Sequence, residues 1–277
     1  MEFPLIKFSK LSGAGNDFLM IDNRQFILKD PLDEFVRKVC RRGMSVGADG
    51  VILVEPSDKA DFRMRYFNAD GSEAETCGNG SRCVSRFAFL KGIAPAKMAF
   101  ETLAGMYKAE VFENGRVKVQ VSNPKDLRMS IDLPMSFGSL ECHFLNTGVP
   151  HVVVVLEEGL DSYDIFNAGR EIRYHQKFAP AGTNANFVQV IGKDEVRIRT
   201  YERGVENETL ACGTGSIASA MILHLLGKCG IPATLITQGG QKLVISYDIQ
   251  GTNIQNVFLE GEARLVYEGE LTPEAFV

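Results

Sequence analysis

Two short segments of this 277-residue chain carry residue types that can do chemistry. One reads Cys77-Gly78-Asn79-Gly80-Ser81 and the other Cys212-Gly213-Thr214-Gly215-Ser216. In each, a thiol precedes glycines and then a helical apolar pattern, so each cysteine is expected at a helix N-terminus. Unpaired N–H groups and partial positive charge collect there. A thiolate so placed is stabilised, and its pKa should fall below the unperturbed value of roughly 8.5. The same N–H groups hold carboxylates, and the glycines let a ligand approach the backbone. A sulfur beside an anion site suits the movement of a proton at a carbon that bears a carboxylate.

The two segments belong to a longer repeat. The offset of 135 residues between Cys77 and Cys212 also relates Gly92 to Gly227, Thr102 to Thr237 and Gly105 to Gly240. Upstream, Arg63-Met64-Arg65 matches Arg197-Ile198-Arg199 at an offset of 134. Such a duplication predicts equivalent loops meeting at a shared cleft. One thiolate would then remove an α-proton while the opposite thiol delivers another, with the enolate charge held by the helix ends. That is two-base inversion of a stereocentre.

The elements that must position these cysteines follow the same repeat. Asp61–Phe67 and Glu195–Tyr201 alternate as strands do. Each leads through a polar loop to a cysteine and a helix, with Cys83, Phe87 and Leu90 in one row of the first. The second helix, through Ile217, Met221 and Leu225, is apolar nearly all round and should be buried. Gly92 and Gly227 suit helix ends. Tyr107–Phe112 and Arg116–Val121 flank the hairpin signal Glu113-Asn114-Gly115. Leu243–Ile249 and Asn256–Tyr267 should form a similar pair, and Pro31–Arg42 an extra helix. The fold class is α+β: two pseudosymmetric domains, each a mostly antiparallel sheet wrapped around a central helix. The expected halves are 1–123 and 124–263, with 264–277 free to pack back onto the first.

Composition bounds the remaining functions. The chain is 45% hydrophobic and 23% charged with a net charge of −5, and no basic face singles out nucleic acid as a partner. The apolar runs Val152–Leu156 and Ile217–Leu226 are too short to span a bilayer. Glu2 and Pro4 stand where a secretory signal would be basic and then apolar. A cytoplasmic protein with free thiols is therefore expected, with no membrane partner. Cys40, Cys83, Cys142 and Cys229 read as packing residues and His224 as remote from the pair. No cysteine or histidine spacing fits zinc, so no metal site is expected.

The sequence resembles diaminopimelate epimerases over nearly its whole length. The resemblance rests on Gly13-Ala14-Gly15-Asn16-Asp17-Phe18, Phe67-Asn68-Ala69-Asp70-Gly71-Ser72-Glu73 and Cys77 to Cys83. It continues through Pro150-His151, Gly182-Thr183-Asn184, Tyr201-Glu202-Arg203-Gly204 and Ala211 to Gly215. It implies interconversion of LL- and meso-2,6-diaminopimelate without pyridoxal phosphate, metal or other cofactor, on the route to lysine and peptidoglycan. It further implies Cys77 and Cys212 as the catalytic pair. The reacting carboxylate would be held by backbone groups of Gly78, Asn79, Gly213 and Thr214. The rest of the substrate would be bound by Asn16, Asn68, Asn184, Glu202 and Arg203. His151 and Glu202 would tune the cysteines, and the protein would be a homodimer, with the strand near Leu265–Tyr267 as a candidate interface.

Read without the resemblance, Glu202-Arg203 reads first as a surface ion pair and His151 as a structural histidine, and each asparagine reads also as a turn residue. Two positions depart from the family pattern: Val149, where many members have Asn, and Gly50, where some have Gln. Asn186, two residues from Asn184, is a candidate to compensate. Other readings of the paired cysteines are a proline- or hydroxyproline-type racemase and a redox-sensing, ligand-binding protein.

Overall fold

The computed structural model describes residues 5–75, 78–250 and 253–276. The chain divides into two compact units, residues 1–119 with 261–277 and residues 120–260.

The first unit contains β1 (Ile6–Gly13), β2 (Asn16–Asp22), α1 (Asp33–Val39), β3 (Gly50–Glu55), β4 (Phe62–Asn68) and β5 (Glu73–Ala74). Then come α2 (Gly78–Leu90), β6 (Lys97–Thr102), β7 (Gly105–Val111) and β8 (Arg116–Gln120). The C-terminal strand Arg264–Leu271 completes the sheet by pairing with β1. From that strand, through β1, β2, β3, β4, β6, β7 and β8, the pairings run antiparallel, antiparallel, parallel, antiparallel, parallel, antiparallel, antiparallel. Successive side chains of a strand point to opposite faces. Phe18, Met20, Ile52 and Val54 therefore pack with Cys83, Val84, Phe87 and Ala88 of α2. Leu19, Ile21, Val51 and Leu53 pack on the other face with Val36 and Val39 of α1. Cover on both faces explains why all six residues of β3 are buried.

The second unit repeats this plan. It contains β9 (Lys125–Met135), β10 (Gly138–Asn146), β11 (Pro150–Val155), α3 (Ile165–Tyr174), β12 (Asn184–Val190), β13 (Glu195–Glu202) and β14 (Asn207–Thr209). It continues with α4 (Gly213–Leu225), β15 (Ala233–Ile236), β16 (Lys242–Gln250) and β17 (Asn253–Glu262). The order β9, β10, β11, β12, β13, β15, β16, β17 has the same sequence of parallel and antiparallel pairings as the first unit. The two central helices, α2 and α4, have 13 residues each. α4 is almost wholly buried, as its apolar circumference demands.

Three expectations change. The run expected as a single strand over Asn256–Tyr267 is broken at Ala263. There the chain leaves β17 and returns as β18 (Arg264–Leu271) to pair with β1. The first-half helix is shorter than Pro31–Arg42, starting at Asp33 after the Asp30-Pro31-Leu32 entry and ending at Val39. Finally, α3 was not anticipated. Its signals are the Asp164 side chain capping the N–H of Asn167, with Ile165, Ala168 and Ile172 buried at helical spacing.

Candidate active site

In the second unit Cys212 is extended, with φ −124° and ψ 109°, and α4 begins at the next residue. Its carbonyl accepts from the N–H of Ser216 at 3.0 Å and from the Ser216 hydroxyl at 2.9 Å, which fixes the first turn. The Thr147 hydroxyl donates to the Thr214 carbonyl at 3.0 Å. Sγ lies 3.5 Å from Thr214 Oγ1, and the N–H groups of Thr214 and Gly215 are directed at it. These contacts favour the thiolate, as expected of a helix end. Burial overrides them. Cys212 is only 6% exposed, and desolvation pushes its thiol up to about 12, with the Glu202 carboxylate adding to the rise. The expectation of a lowered pKa therefore fails here, because removing a charge from water outweighs a few aligned dipoles.

The neighbouring strands supply the rest of the cluster. His151 on β11 stands opposite Asn184 on β12, and Ala185 opposite Tyr201 on β13. This register carries Glu202 and Arg203 to the strand end beside Asn184. The Asn184 side chain accepts from the Arg203 N–H at 2.8 Å and donates to the Pro150 carbonyl at 3.0 Å. Glu202 accepts from the Thr209 hydroxyl at 2.9 Å, while Arg203 donates to the Ala181 carbonyl at 3.1 Å. Their side chains thus make separate bonds, unlike a surface ion pair. Burial raises the Glu202 carboxyl above its ordinary range. His151 is fully buried, and desolvation, helped by the Arg203 charge, lowers it to about 3. It is a neutral imidazole at physiological pH.

The first unit gathers a smaller set. Ala14 and Gly15 form a two-residue hairpin between β1 and β2, with φ 53° and 95°. Positive φ at both positions is the geometry that matches strand twist, and it sets Asn16 at the start of β2. Asn16 Nδ2 donates to Asp49 Oδ2 at 2.9 Å, and its Oδ1 accepts from Asn79 Nδ2 at 2.7 Å. Asn79 Oδ1 in turn accepts from the buried guanidinium of Arg82 at 2.7 Å. The first turn of α2, with Gly78 and Asn79, is therefore tied to the β1–β2 hairpin. Asn68 lies opposite Gly50, and its amide donates to Ser72 Oγ at 3.1 Å, a bond within its own turn. Cys77 lies outside the described residues. Cys83 is core: a Cβ on Gly13 of β1 would meet its Sγ at 2.8 Å. Cys40, Cys142 and Cys229 are buried too. Among the described residues no group of three His, Cys, Asp or Glu is arranged to hold a metal, and no helix is long and apolar enough to cross a membrane.

Against this geometry, the family model of diaminopimelate epimerase matches residues 8–126 and 143–266. The diaminopimelate epimerase of Hydrogenobaculum sp. is 47% identical over 97% of this chain and 99% of its own length. That of Aquifex aeolicus is 46% identical over the same shares. The chain belongs to the diaminopimelate epimerase family. Solved structures extend the likeness at the level of fold. A phenazine biosynthesis protein of the PhzF family from Bacillus anthracis has a TM-score of 0.74 at 18% identity, over 97% of this chain and 99% of that one. A hydroxyproline epimerase from Agrobacterium vitis scores 0.68 at 15% identity, over 98% and 94%.

Of the two departures from the family pattern, Gly50 has a local structural reason. A Cβ at Gly50 would sit 2.3 Å from the Phe67 carbonyl oxygen and 2.7 Å from the Tyr66 ring, so β3 and β4 pair too closely here for a side chain. Asn186 does not compensate for Val149. It is fully buried, and both of its N–H bonds are committed, one to His151 Nδ1 at 3.1 Å and one to the Val152 carbonyl at 2.8 Å. Four further polar residues support these sets and were not anticipated: Thr200 and Thr209 in the second unit, Asp49 and Arg82 in the first. Asp49 meets Asn16 from 33 residues away, which no local pattern signals.

Proposed function

We propose that this protein epimerises LL-2,6-diaminopimelate to the meso isomer by a two-base mechanism, with Cys77 and Cys212 as the proton carriers. Family membership supports the substrate. The observation that carries the chemistry is the state of Cys212, a buried thiol at a helix N-terminus with its pKa near 12. Such a group is protonated at rest and so holds the proton that a carbanion formed against it would take up. In that direction Cys77 is the base. The Gly213 and Thr214 backbone at the α4 N-terminus, and Gly78 and Asn79 at that of α2, are the reading's anion sites for the reacting carboxylate. Negative charge growing there in the transition state meets dipoles already oriented, so little reorganisation is needed.

At the distal end of the substrate, Arg203 suits a carboxylate and Glu202 an ammonium. Asn16, Asn68 and Asn184 supply amide groups that match an amino-acid end. His151, held neutral, is a hydrogen-bonding group toward this site rather than a carrier of charge. We place the enzyme in the cytoplasm as a homodimer. The exposed apolar residues Leu265, Val266 and Tyr267 on β18 support that assembly, and sedimentation of the Tyr267→Glu variant tests it.

The deciding experiment follows the α-proton by NMR in D2O, using reduced protein free of pyridoxal phosphate. Appearance of the meso isomer, with deuterium entering product faster than recovered substrate, is expected of two opposed bases. Absence of exchange and of meso product sinks the proposal. Deuterium appearing equally fast in both isomers refutes the two-base scheme.

A further inference from the structure

The Asn186 side chain links three elements of the second unit. Its Nδ2 donates to the Val152 carbonyl on β11 at 2.8 Å, and its Oδ1 accepts from the Thr200 hydroxyl on β13 at 3.0 Å. The carbonyl can only accept, so it fixes which end of the amide is nitrogen. That nitrogen also lies 3.1 Å from Nδ1 of His151. A neutral imidazole has one bare nitrogen and one N–H. Facing a donor, Nδ1 must be the bare one, and the ring proton sits on Nε2. Among the described residues Nε2 has no hydrogen-bond partner, although the ring is fully buried. A buried donor without an acceptor is costly, and native structures keep such groups where something else completes them.

The network also borders the thiol. A Cβ built on Gly215 would lie 2.1 Å from Asn186 Oδ1 and 3.4 Å from Cys212 Sγ. Only glycine lets the first turn of α4 close over this amide, so the residue that orients His151 also shapes the cysteine-bearing helix end.

We propose that Asn186 is a positioning residue: it locks His151 in the Nε2–H tautomer and so presents a buried N–H to a carboxylate of the bound substrate. The inference rests on the function proposed above for its ligand, while the tautomer is a property of the free protein. Thr200 belongs to the same device, since its hydroxyl holds the far end of the amide. An aspartate at position 186 would reverse the arrangement. A carboxylate facing Nδ1 draws the proton to that nitrogen and leaves Nε2 bare or the ring charged.

The test is 15N NMR of histidine-labelled protein, with the His151 signal assigned by its loss in His151→Gln. Wild type is expected to show a bare Nδ1 and a protonated Nε2, and Asn186→Asp a protonated Nδ1. Thr200→Val, a milder change that leaves Asn186 in place, is expected to mix the tautomers. Adding meso-diaminopimelate should shift the Nε2–H resonance in wild type. In kcat/KM the Asn186→Asp variant should acquire a histidine ionisation between pH 5 and 8 that wild type lacks, with a loss of at least tenfold at pH 7. A wild-type ring protonated on Nδ1 overturns the proposal. So does a tautomer that is the same in wild type and in a folded Asn186→Asp. An unchanged Nε2–H on saturation with a turned-over substrate overturns the ligand contact alone. Failure of turnover with the tautomers as stated counts against the proposed function and leaves the positioning role standing.

Discussion

Holding His151 neutral ties the stability of the second unit to pH. The ring titrates near 6.5 when exposed and is lowered to about 3 in the folded protein. The group thus contributes stability in full above pH 6.5, and that stability is lost as pH falls through 6.5 toward 3. At pH 5 the unfolded ring is about 97% protonated and the folded one about 1%, so unfolding takes up nearly one proton. The slope is then about 1.4 kcal/mol per pH unit, and integration from pH 7 to 5 gives a loss of about 2 kcal/mol. Other groups fall outside this window or cancel in a comparison. Asp17, lowered to about 2, acts below pH 4, and Cys212, raised to about 12, acts above pH 9. His143, also lowered by burial, and Glu202, raised by it, are present in both proteins compared. Urea denaturation of wild type and His151→Gln, followed by far-UV circular dichroism at pH 7, 6 and 5, reads the difference. Glutamine keeps an acceptor for Asn186 and a donor in place of Nε2–H, but it does not titrate. Wild type should lose about 2 kcal/mol more than the variant. Parallel losses, or a His151 signal that titrates near pH 6.5 by NMR, refute the reasoning.

Replacing Gly215 by Ala drives a Cβ into Asn186 Oδ1 and should cost about 1–3 kcal/mol of stability with a fall in kcat/KM, read by urea midpoints and initial rates. Gly50→Gln should destabilise the β3–β4 pairing by a similar ~1–3 kcal/mol rather than add a substrate contact, so KM should not improve. Alkylation of Cys212 by iodoacetamide, followed by peptide mass, should be slow at pH 8 and accelerate above pH 10, because the thiolate is the nucleophile. Cys77→Ala and Cys212→Ala should each lower epimerisation by at least ~10²-fold, the range for losing one acid–base group. Full activity in either would refute its role.

Much of the site's local architecture was legible in the sequence. A cysteine, spaced glycines and a row of apolar residues write a helix end directly, since caps and helical periodicity depend on neighbours within a few positions. The repeated register exposed the duplication for the same reason, and the two units do share one order of strand pairings. Tertiary structure decided the protonation states. The rise at Cys212 and the fall at His151 are sums of desolvation and charge from strands that the sequence does not place side by side. The same holds for the partners of Asn16 and Asn186. Asn16 meets Asp49 and Asn79 across 33 and 63 residues, and Asn186 meets His151 across 35. Local pattern could nominate these side chains as chemical. Their partners were set by strand register, and with them the difference between a helix end that merely favours a thiolate and a buried thiol that keeps its proton.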